Sequence, residues 1–259
     1  MKVRLLAICA AILASCNPAS TPSTGSTGGT DASAAPPPPA TAIQTYRPAD
    51  QAGMVRIADK GYFWTPGKWP GPSAQGLYVV PVCWEPGTPS GVEREWVKDA
   101  ITNPNKRTWQ SESKLRFIGW GDCAKDAVGI RIAVRDDGAN DGPHTQGLGK
   151  FLDSQPGAMV LNFTFKTWSP LCAQSEAMRE SCIRSIAVHE FGHAIGFAHE
   201  QNRPETAGEC AQKRQGPNGD IMLTPWDLHS VMNYCNPIYN NDGVLSDGDV
   251  VSVKKFYGE

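Results

Sequence analysis

Three histidines in one short segment have the spacing of ligands for a single metal ion. His189 and His193 lie four residues apart in a predicted helix, so their imidazoles project from one face. Two neutral imidazoles placed in this way can bind one Zn²⁺. His199 follows six residues later and can return as the third ligand. Three protein ligands leave one position open, which is typical of a catalytic zinc site.

Two further residues in this segment fit the same chemistry. Glu190 directly follows the first histidine, where a carboxylate can accept a proton from a metal-activated water as general base. Gly196 lies where the helix must end for the chain to turn back, and glycine allows the positive φ of such a turn. A chance match of all five positions in this chain has a probability of about 10⁻⁴ at average composition.

Strands and helices must position this segment, and their patterns predict an α+β domain. Apolar runs predict strands, and apolar periodicity predicts helices. The predicted strands cover 77–82, 115–120, 129–134 and 158–163, and the helices begin near 90 and cover 176–194 and 246–257. Ser90 is the expected N-cap of the first helix, because Glu93 follows three residues later.

The extended histidine pattern resembles the metzincin zinc signature, and the astacin branch in particular. Glu200 and Arg203 continue that pattern, and residues 230–234 fit the Ser-x-Met-x-Tyr form of the Met-turn. The resemblance implies that Met232 packs beneath the metal. It also implies that Tyr234 lies near the metal, can ligate it, and stabilises the tetrahedral intermediate as a catalytic residue.

The resemblance covers roughly residues 76–259. It implies a metzincin-like catalytic domain, in which a twisted mixed sheet supports a zinc-binding helix. A C-terminal subdomain would contain the Met-turn and a terminal helix. In astacins the glutamate after the third histidine often pairs with the buried mature N-terminus. An N-terminal lipid tether would conflict with that contact, so the role of Glu200 stays open.

The cysteines predict a disulfide-bonded, exported domain. Six remain once Cys9 of the signal and Cys16 are set aside, and an even number implies three disulfides among fifteen connectivities. The pairing we favour is Cys83–Cys123, Cys172–Cys182 and Cys210–Cys235. A zinc cluster of cysteines is the alternative, but the chain contains no Cys-x-x-Cys spacing.

The N-terminus has the features of a bacterial lipoprotein signal. Lys2 and Arg4 precede an apolar run, and residues 13–16 resemble a lipobox that is cleaved before Cys16. We therefore expect 1–15 to be a signal peptide and acylated Cys16 to anchor the exported protein in a bilayer. The expected location is the bacterial cell envelope, at the outer membrane or cell surface. An ordinary signal peptide cut nearby is the alternative.

Two segments separate this signal from the catalytic domain, which we place at 76–259. Residues 16–45 are rich in Ser, Thr, Gly and Pro, and they predict a disordered linker. Residues 46–75 combine aromatic residues with many Gly and Pro. They are either a short pro-segment or an N-terminal extension packed on the domain.

Charge and the remaining polar residues limit the partners. The formal net charge is −2, which gives no reason to expect a nucleic-acid partner. The acidic loops at 136–141 and 240–243 look like turns, with Ca²⁺ binding as the alternative. His144 and His229 are expected at the surface or beside the site. The oligomeric state is left open.

These patterns together predict a zinc-dependent endopeptidase that hydrolyses extracellular or envelope proteins. One alternative is an inactive, zinc-stabilised binding module, although metal binding alone does not need the Glu190 carboxylate. The other is a metallohydrolase that acts on cell-wall peptide. The open cleft expected of the family favours polypeptide substrates.

Overall fold

A five-stranded sheet forms the framework of the protein. In the computed structural model, which describes residues 62–259, the strand order is β2-β1-β3-β5-β4. The strands are β1 (Tyr78–Trp84), β2 (Leu115–Asp122), β3 (Ile130–Val134), β4 (His144–Thr145) and β5 (Met159–Leu161). The pairs β1–β2, β1–β3 and β3–β5 are parallel, and β4 pairs antiparallel with β5.

The burial of the strands reflects their places in the sheet. In the central strand β3, Ile130 through Ala133 are all buried, as expected where a parallel strand is covered on both faces. In β1 the buried side chains of Tyr78, Val80 and Val82 alternate with more exposed ones. These residues join one hydrophobic core with the helices, which confirms the predicted α+β class.

Among the described residues, three α-helices pack with the sheet: α1 (Val92–Thr102), α2 (Glu176–Ala194) and α3 (Asp247–Tyr257). The bounds of α2 are the predicted ones, and its N-cap Ser175 accepts a hydrogen bond from the Met178 N–H. Ser246 caps α3 through a capping box with Asp249. Within residues 62–259, none of the helices combines the length and the hydropathy of a membrane-spanning segment.

The predicted N-cap of α1 is wrong. Gly91, not Ser90, occupies that position, and no side chain caps the helix. The Glu93 carboxylate, which a capping box would direct back to the N-cap, instead pairs with Arg179 of α2 at 2.5 Å. The helix start is therefore held by contact with α2 rather than by its own cap.

Three disulfides tie loops to this framework. Cys83–Cys123 joins the ends of β1 and β2, and Cys172–Cys182 joins a 3₁₀ turn to α2. Cys210–Cys235 joins the segment Gly208–Lys213 to the residue after Tyr234. These are the same three pairs as the sequence favoured.

The described part of the 46–75 segment, residues 62–75, packs on the domain. Phe63 is fully buried and forms antiparallel bridges with Phe197 and Ile221. Trp69 is also buried in the main core. The choice between a pro-segment and an N-terminal extension stays a prediction. The predicted signal (1–15), Cys16, the linker (16–45) and residues 46–61 lie outside the described residues.

Two other expectations concern polar residues away from the histidine motif. His144 is buried in β4 rather than at the surface, and its Nδ1 atom lies 2.8 Å from the Gly142 carbonyl oxygen, whereas His229 is exposed. The Asp136 carboxylate accepts hydrogen bonds from the Thr164 hydroxyl and the Lys166 N–H at 2.5 and 2.7 Å. These hydrogen bonds stabilise the 164–168 turn. Calcium binding at the acidic loops stays a prediction.

Candidate active site

The three predicted metal ligands converge in the structure. The Nε2 atom of His199 lies 3.3 Å from that of His189 and 3.1 Å from that of His193. All three side chains are buried. Their ligand atoms lie within 4.8 Å of one another, close enough to hold one metal ion. Helix α2 supplies the first two, and the turn after it returns the third.

Backbone carbonyls fix the protonation of each ring. The Nδ1 contacts are His189 to Val231 O (2.7 Å), His193 to Phe197 O (2.8 Å) and His199 to Gln215 O (3.0 Å). Because a carbonyl oxygen only accepts, each Nδ1 carries the hydrogen and each Nε2 presents a lone pair. Three converging lone pairs have no donor among them, and this donor set fits a zinc ion with its ring-orienting partners.

Burial keeps the imidazoles neutral, as metal ligands must be. It lowers the pKa of His189 to about 3 and that of His193 to about 4. The pKa of His199 falls well below its usual value, first through burial and then through the two neighbouring rings. The site is therefore preset to accept a cation at neutral pH.

The turn after α2 depends on a glycine and on aromatic residues from distant segments. Gly196 has φ +105°, and a Cβ there would lie 2.6 Å from the Phe63 ring. Trp69 Nε1 donates to the Ala194 carbonyl, and the Tyr257 hydroxyl donates to the Ile195 carbonyl, each at 2.7 Å. These donors satisfy carbonyls that a helix end leaves without partners. The sequence predicted the glycine turn but not its aromatic donors.

Glu190 is buried beside the first ligand. Its Oε2 atom has no hydrogen-bond partner in the described structure, and burial raises its pKa to about 8. A buried carboxylate oxygen without a partner is costly unless the site later supplies one. The position therefore suits a group that takes up a proton during a reaction.

Tyr234 lies across two of the ligands. Its ring stacks on His189 with centroids 5.0 Å apart, and its centroid is 4.6 Å from that of His199. Burial, and then the Glu190 carboxylate, raise the pKa of Tyr234, so it remains a phenol that can donate a hydrogen bond. Tyr239 has its pKa raised by the same two causes, and the sequence reasoning missed this second phenol.

Met232 is buried under the helix turn that joins the first two ligands. A Cβ on Gly192 would lie 2.3 Å from its Sδ atom. The loop that carries Met232 is anchored by Asp249 of α3, which accepts hydrogen bonds from Ser230 Oγ (2.7 Å) and Val231 N (3.0 Å). The C-terminal helix thereby holds the loop whose Val231 carbonyl orients His189.

The described structure gives Glu200 a partner in its own segment. Its Oε1 atom accepts hydrogen bonds from Arg203 Nη1 at 2.6 Å and from the Asp227 N–H at 2.9 Å. Arg203 is fully buried, so the pair is enclosed. Glu200 and Arg203, which the motif places together, therefore brace the turn beyond the third ligand.

Comparison with known proteins identifies the family. The family model for matrixin, Peptidase_M10, matches residues 85–218, which is more than half of the chain and includes all three histidines. The chain belongs to the matrixin family. Matrixins are metzincin zinc metallopeptidases, so the predicted metzincin resemblance is confirmed.

This matrixin is also similar to individual proteins and to a solved structure. Zinc metalloproteinase nas-36 from Caenorhabditis briggsae is 31% identical over 83 residues, as is nas-36 from Caenorhabditis elegans. Each match covers 27% of this chain and 14% of the relative, so the matched region is a small part of those proteins. The solved structure of myroilysin shares the fold, with a TM-score of 0.52 at 20% identity, covering 77% of this chain and 99% of myroilysin.

Proposed function

We propose that this matrixin is a zinc-dependent endopeptidase with Glu190 as its general base. The observation that carries the proposal is the convergence of three Nε2 lone pairs, 3.1 and 3.3 Å apart, beside a carboxylate oxygen without a partner. His189, His193 and His199 would hold the zinc, which would acidify a water and polarise a peptide carbonyl.

The chain's own groups would then move protons and stabilise charge. Glu190, whose buried Oε2 atom has no hydrogen-bond partner in the described structure, would accept a proton from the attacking water and pass it to the leaving amine. Tyr234 keeps its proton because burial raises its pKa, so its hydroxyl can donate to the developing oxyanion. These roles require both side chains to face the position on which the histidines converge.

The proposed substrates are polypeptides of the cell exterior or envelope, reached from a membrane anchor. The anchor would be acylated Cys16, with 1–15 removed as signal peptide and 16–45 as the tether, at the outer membrane or cell surface. Mass spectrometry of the mature N-terminus tests this part. An acylated Cys16 supports it, and an N-terminus without lipid contradicts it.

Hydrolysis of casein by wild type and by Glu190→Gln tests the catalytic proposal. We expect a loss of about 10²- to 10⁴-fold in kcat with the zinc content unchanged, since only the proton acceptor is removed. Glu176→Gln changes an exposed glutamate at the start of the same helix, and it should keep full activity. Full activity in Glu190→Gln would contradict the assignment.

The same assay separates the two alternatives. A binding module would retain zinc without cleaving casein or peptidoglycan peptides. A cell-wall hydrolase would cleave isolated peptidoglycan peptides but leave casein intact. Casein cleavage that stops with a chelator and returns with zinc supports the endopeptidase.

A further inference from the structure

The backbone carbonyl that faces His199, the third proposed zinc ligand, lies in a different environment from the carbonyls that face His189 and His193. Val231 is fully buried and Phe197 is nearly so. Gln215, whose carbonyl receives the His199 Nδ1–H at 3.0 Å, lies beyond the 3₁₀ segment Gly208–Lys213, which has no buried residue. An exposed loop does not fix a carbonyl by core packing, so another contact must orient it.

Asn202 makes that contact with both polar groups of its amide. Its Nδ2 donates to the Gln215 carbonyl at 2.7 Å, and its Oδ1 accepts from the Gln215 N–H at 2.9 Å. Asn202 is buried and ends the 3₁₀ turn that follows His199. A carbonyl oxygen has two lone pairs, so it can accept from Asn202 and His199 together.

Other contacts hold the loop but do not touch this carbonyl. Arg214 donates to the backbone carbonyls of Gln201 and Arg203, and Cys210–Cys235 closes the far end. These contacts keep the loop near the site. The direction of the Gln215 carbonyl is set locally, by the hydrogen bond that Asn202 donates to it and the one that Asn202 accepts from the Gln215 N–H.

We infer that Asn202 is a positioning residue that orients the third zinc ligand, His199, through the backbone carbonyl of Gln215. The inference rests on the proposed zinc site and adds to it a residue that touches neither metal nor substrate. Partners that orient a metal-bound histidine typically change metal affinity by about 10- to 100-fold. Asn202 is separated from the histidine by one more hydrogen bond, the one to the Gln215 carbonyl. We therefore expect the lower end of that range, about 10-fold.

Zinc affinity, measured on the full-length protein by competition with a chromogenic chelator, tests the inference. Asn202→Ala should bind zinc about 10-fold more weakly than wild type. The Co²⁺-substituted protein should show an altered ligand-field spectrum, which a loss of packing alone would not produce. Asn236→Ala is the matched control, because Asn236 bridges Ile238 and Asn241 in another loop without contacting an acceptor of a ligand.

A second variant covers the case in which Asn202→Ala does not fold. Asn202→Asp keeps the side-chain volume and the acceptor for the Gln215 N–H, but it removes the donor to the Gln215 carbonyl. It too should bind zinc about 10-fold more weakly. Unchanged affinity and spectrum in the folded variants, or failure of both to fold, would overturn the inference. Failure of wild type to bind zinc would instead refute the proposed function.

Discussion

Met232 lies directly against Gly192, with its Sδ atom only 2.3 Å from where a Cβ on that glycine would stand. Gly192 immediately precedes the second histidine in α2. The Met-turn therefore touches the backbone of the zinc helix between two ligands, and a side chain at position 192 would separate them. This contact explains why glycine, a poor helix former, occupies the middle of this motif.

Gly192→Ala is expected to destabilise the protein by about 1–3 kcal/mol, the usual cost of overpacking a filled core. At a helix position with free space, the same change would stabilise the protein by about 1 kcal/mol. The sign of the change in unfolding free energy therefore shows whether Met232 fills the space beside Gly192. Urea unfolding measures it. Gly138→Ala is the control, since nothing lies within 4 Å of a Cβ there. A gain in stability for Gly192→Ala would show that the helix and the Met-turn are not in contact.

Asp249→Asn should loosen the Met-turn. Both carboxylate oxygens accept hydrogen bonds, from Ser230 Oγ and from the N–H groups of Val231 and Ser246. An amide offers an acceptor at only one of the two oxygen positions, so the Ser230 hydroxyl would have to accept instead of donate, and the two N–H groups would lose a carboxylate acceptor. We expect a loss of about 1.5–3 kcal/mol in thermal or urea unfolding.

The matched control for that change is Asp247→Asn in the same first turn of α3. Its side chain is 94% exposed and pairs with Arg107 at the surface, so the effect should be small. Equal losses for the two variants would indicate a general charge effect at the helix start, and would contradict the anchoring role of Asp249.

Tyr234→Phe should separate binding from turnover. The stacked ring on His189 is kept, while the phenol hydroxyl is lost. If this hydroxyl donates to the oxyanion, kcat should fall by about 10²- to 10³-fold with KM and zinc content nearly unchanged. Steady-state hydrolysis of a fluorogenic peptide measures both constants. A variant with wild-type kcat would remove Tyr234 from the mechanism.

Acid stability should depend on Asp99. Burial works to raise its pKa, but hydrogen bonds from Lys106, Asn103 and Arg184 outweigh it and lower the pKa to about 2. A carboxyl with a folded pKa below its unfolded value stabilises the fold above the unfolded pKa and loses that contribution as pH falls through the folded pKa. Its contribution should therefore disappear between about pH 4 and pH 2.

Urea unfolding of wild type and Asp99→Asn across this range measures the effect. The stability difference between them should be present at pH 6 and shrink steadily below about pH 4. A difference that stays constant down to pH 2 would contradict the role assigned to the carboxylate charge.

The sequence was most informative where local spacing alone fixes geometry. His189 and His193 share a helix face whatever surrounds them, and Gly196 has the backbone conformation that its place after the helix requires. Ser246 likewise caps α3 as a local signal predicts. In these cases the determining contacts lie within a few residues of each other.

The sequence pattern could not predict contacts between segments that are distant along the chain. Gln215 and Val231 contribute backbone carbonyls, which any residue type provides, so nothing in the sequence marks them as partners of the ligands. Trp69 and Phe63 approach the helix end from far along the chain, and their segment has no clear periodicity. The two-residue strand β4 is too short to show alternation, which is why His144 was not placed in the sheet.

The proposed function requires three imidazoles that bind one zinc ion on which proteolysis depends. Elemental analysis of the purified wild type and of His193→Ala, with casein hydrolysis on the same samples, tests it most directly. We expect one zinc per wild-type chain, and neither zinc nor cleavage in the variant. Wild-type protein that cleaves casein without bound zinc, or a variant that keeps both metal and activity, would contradict it.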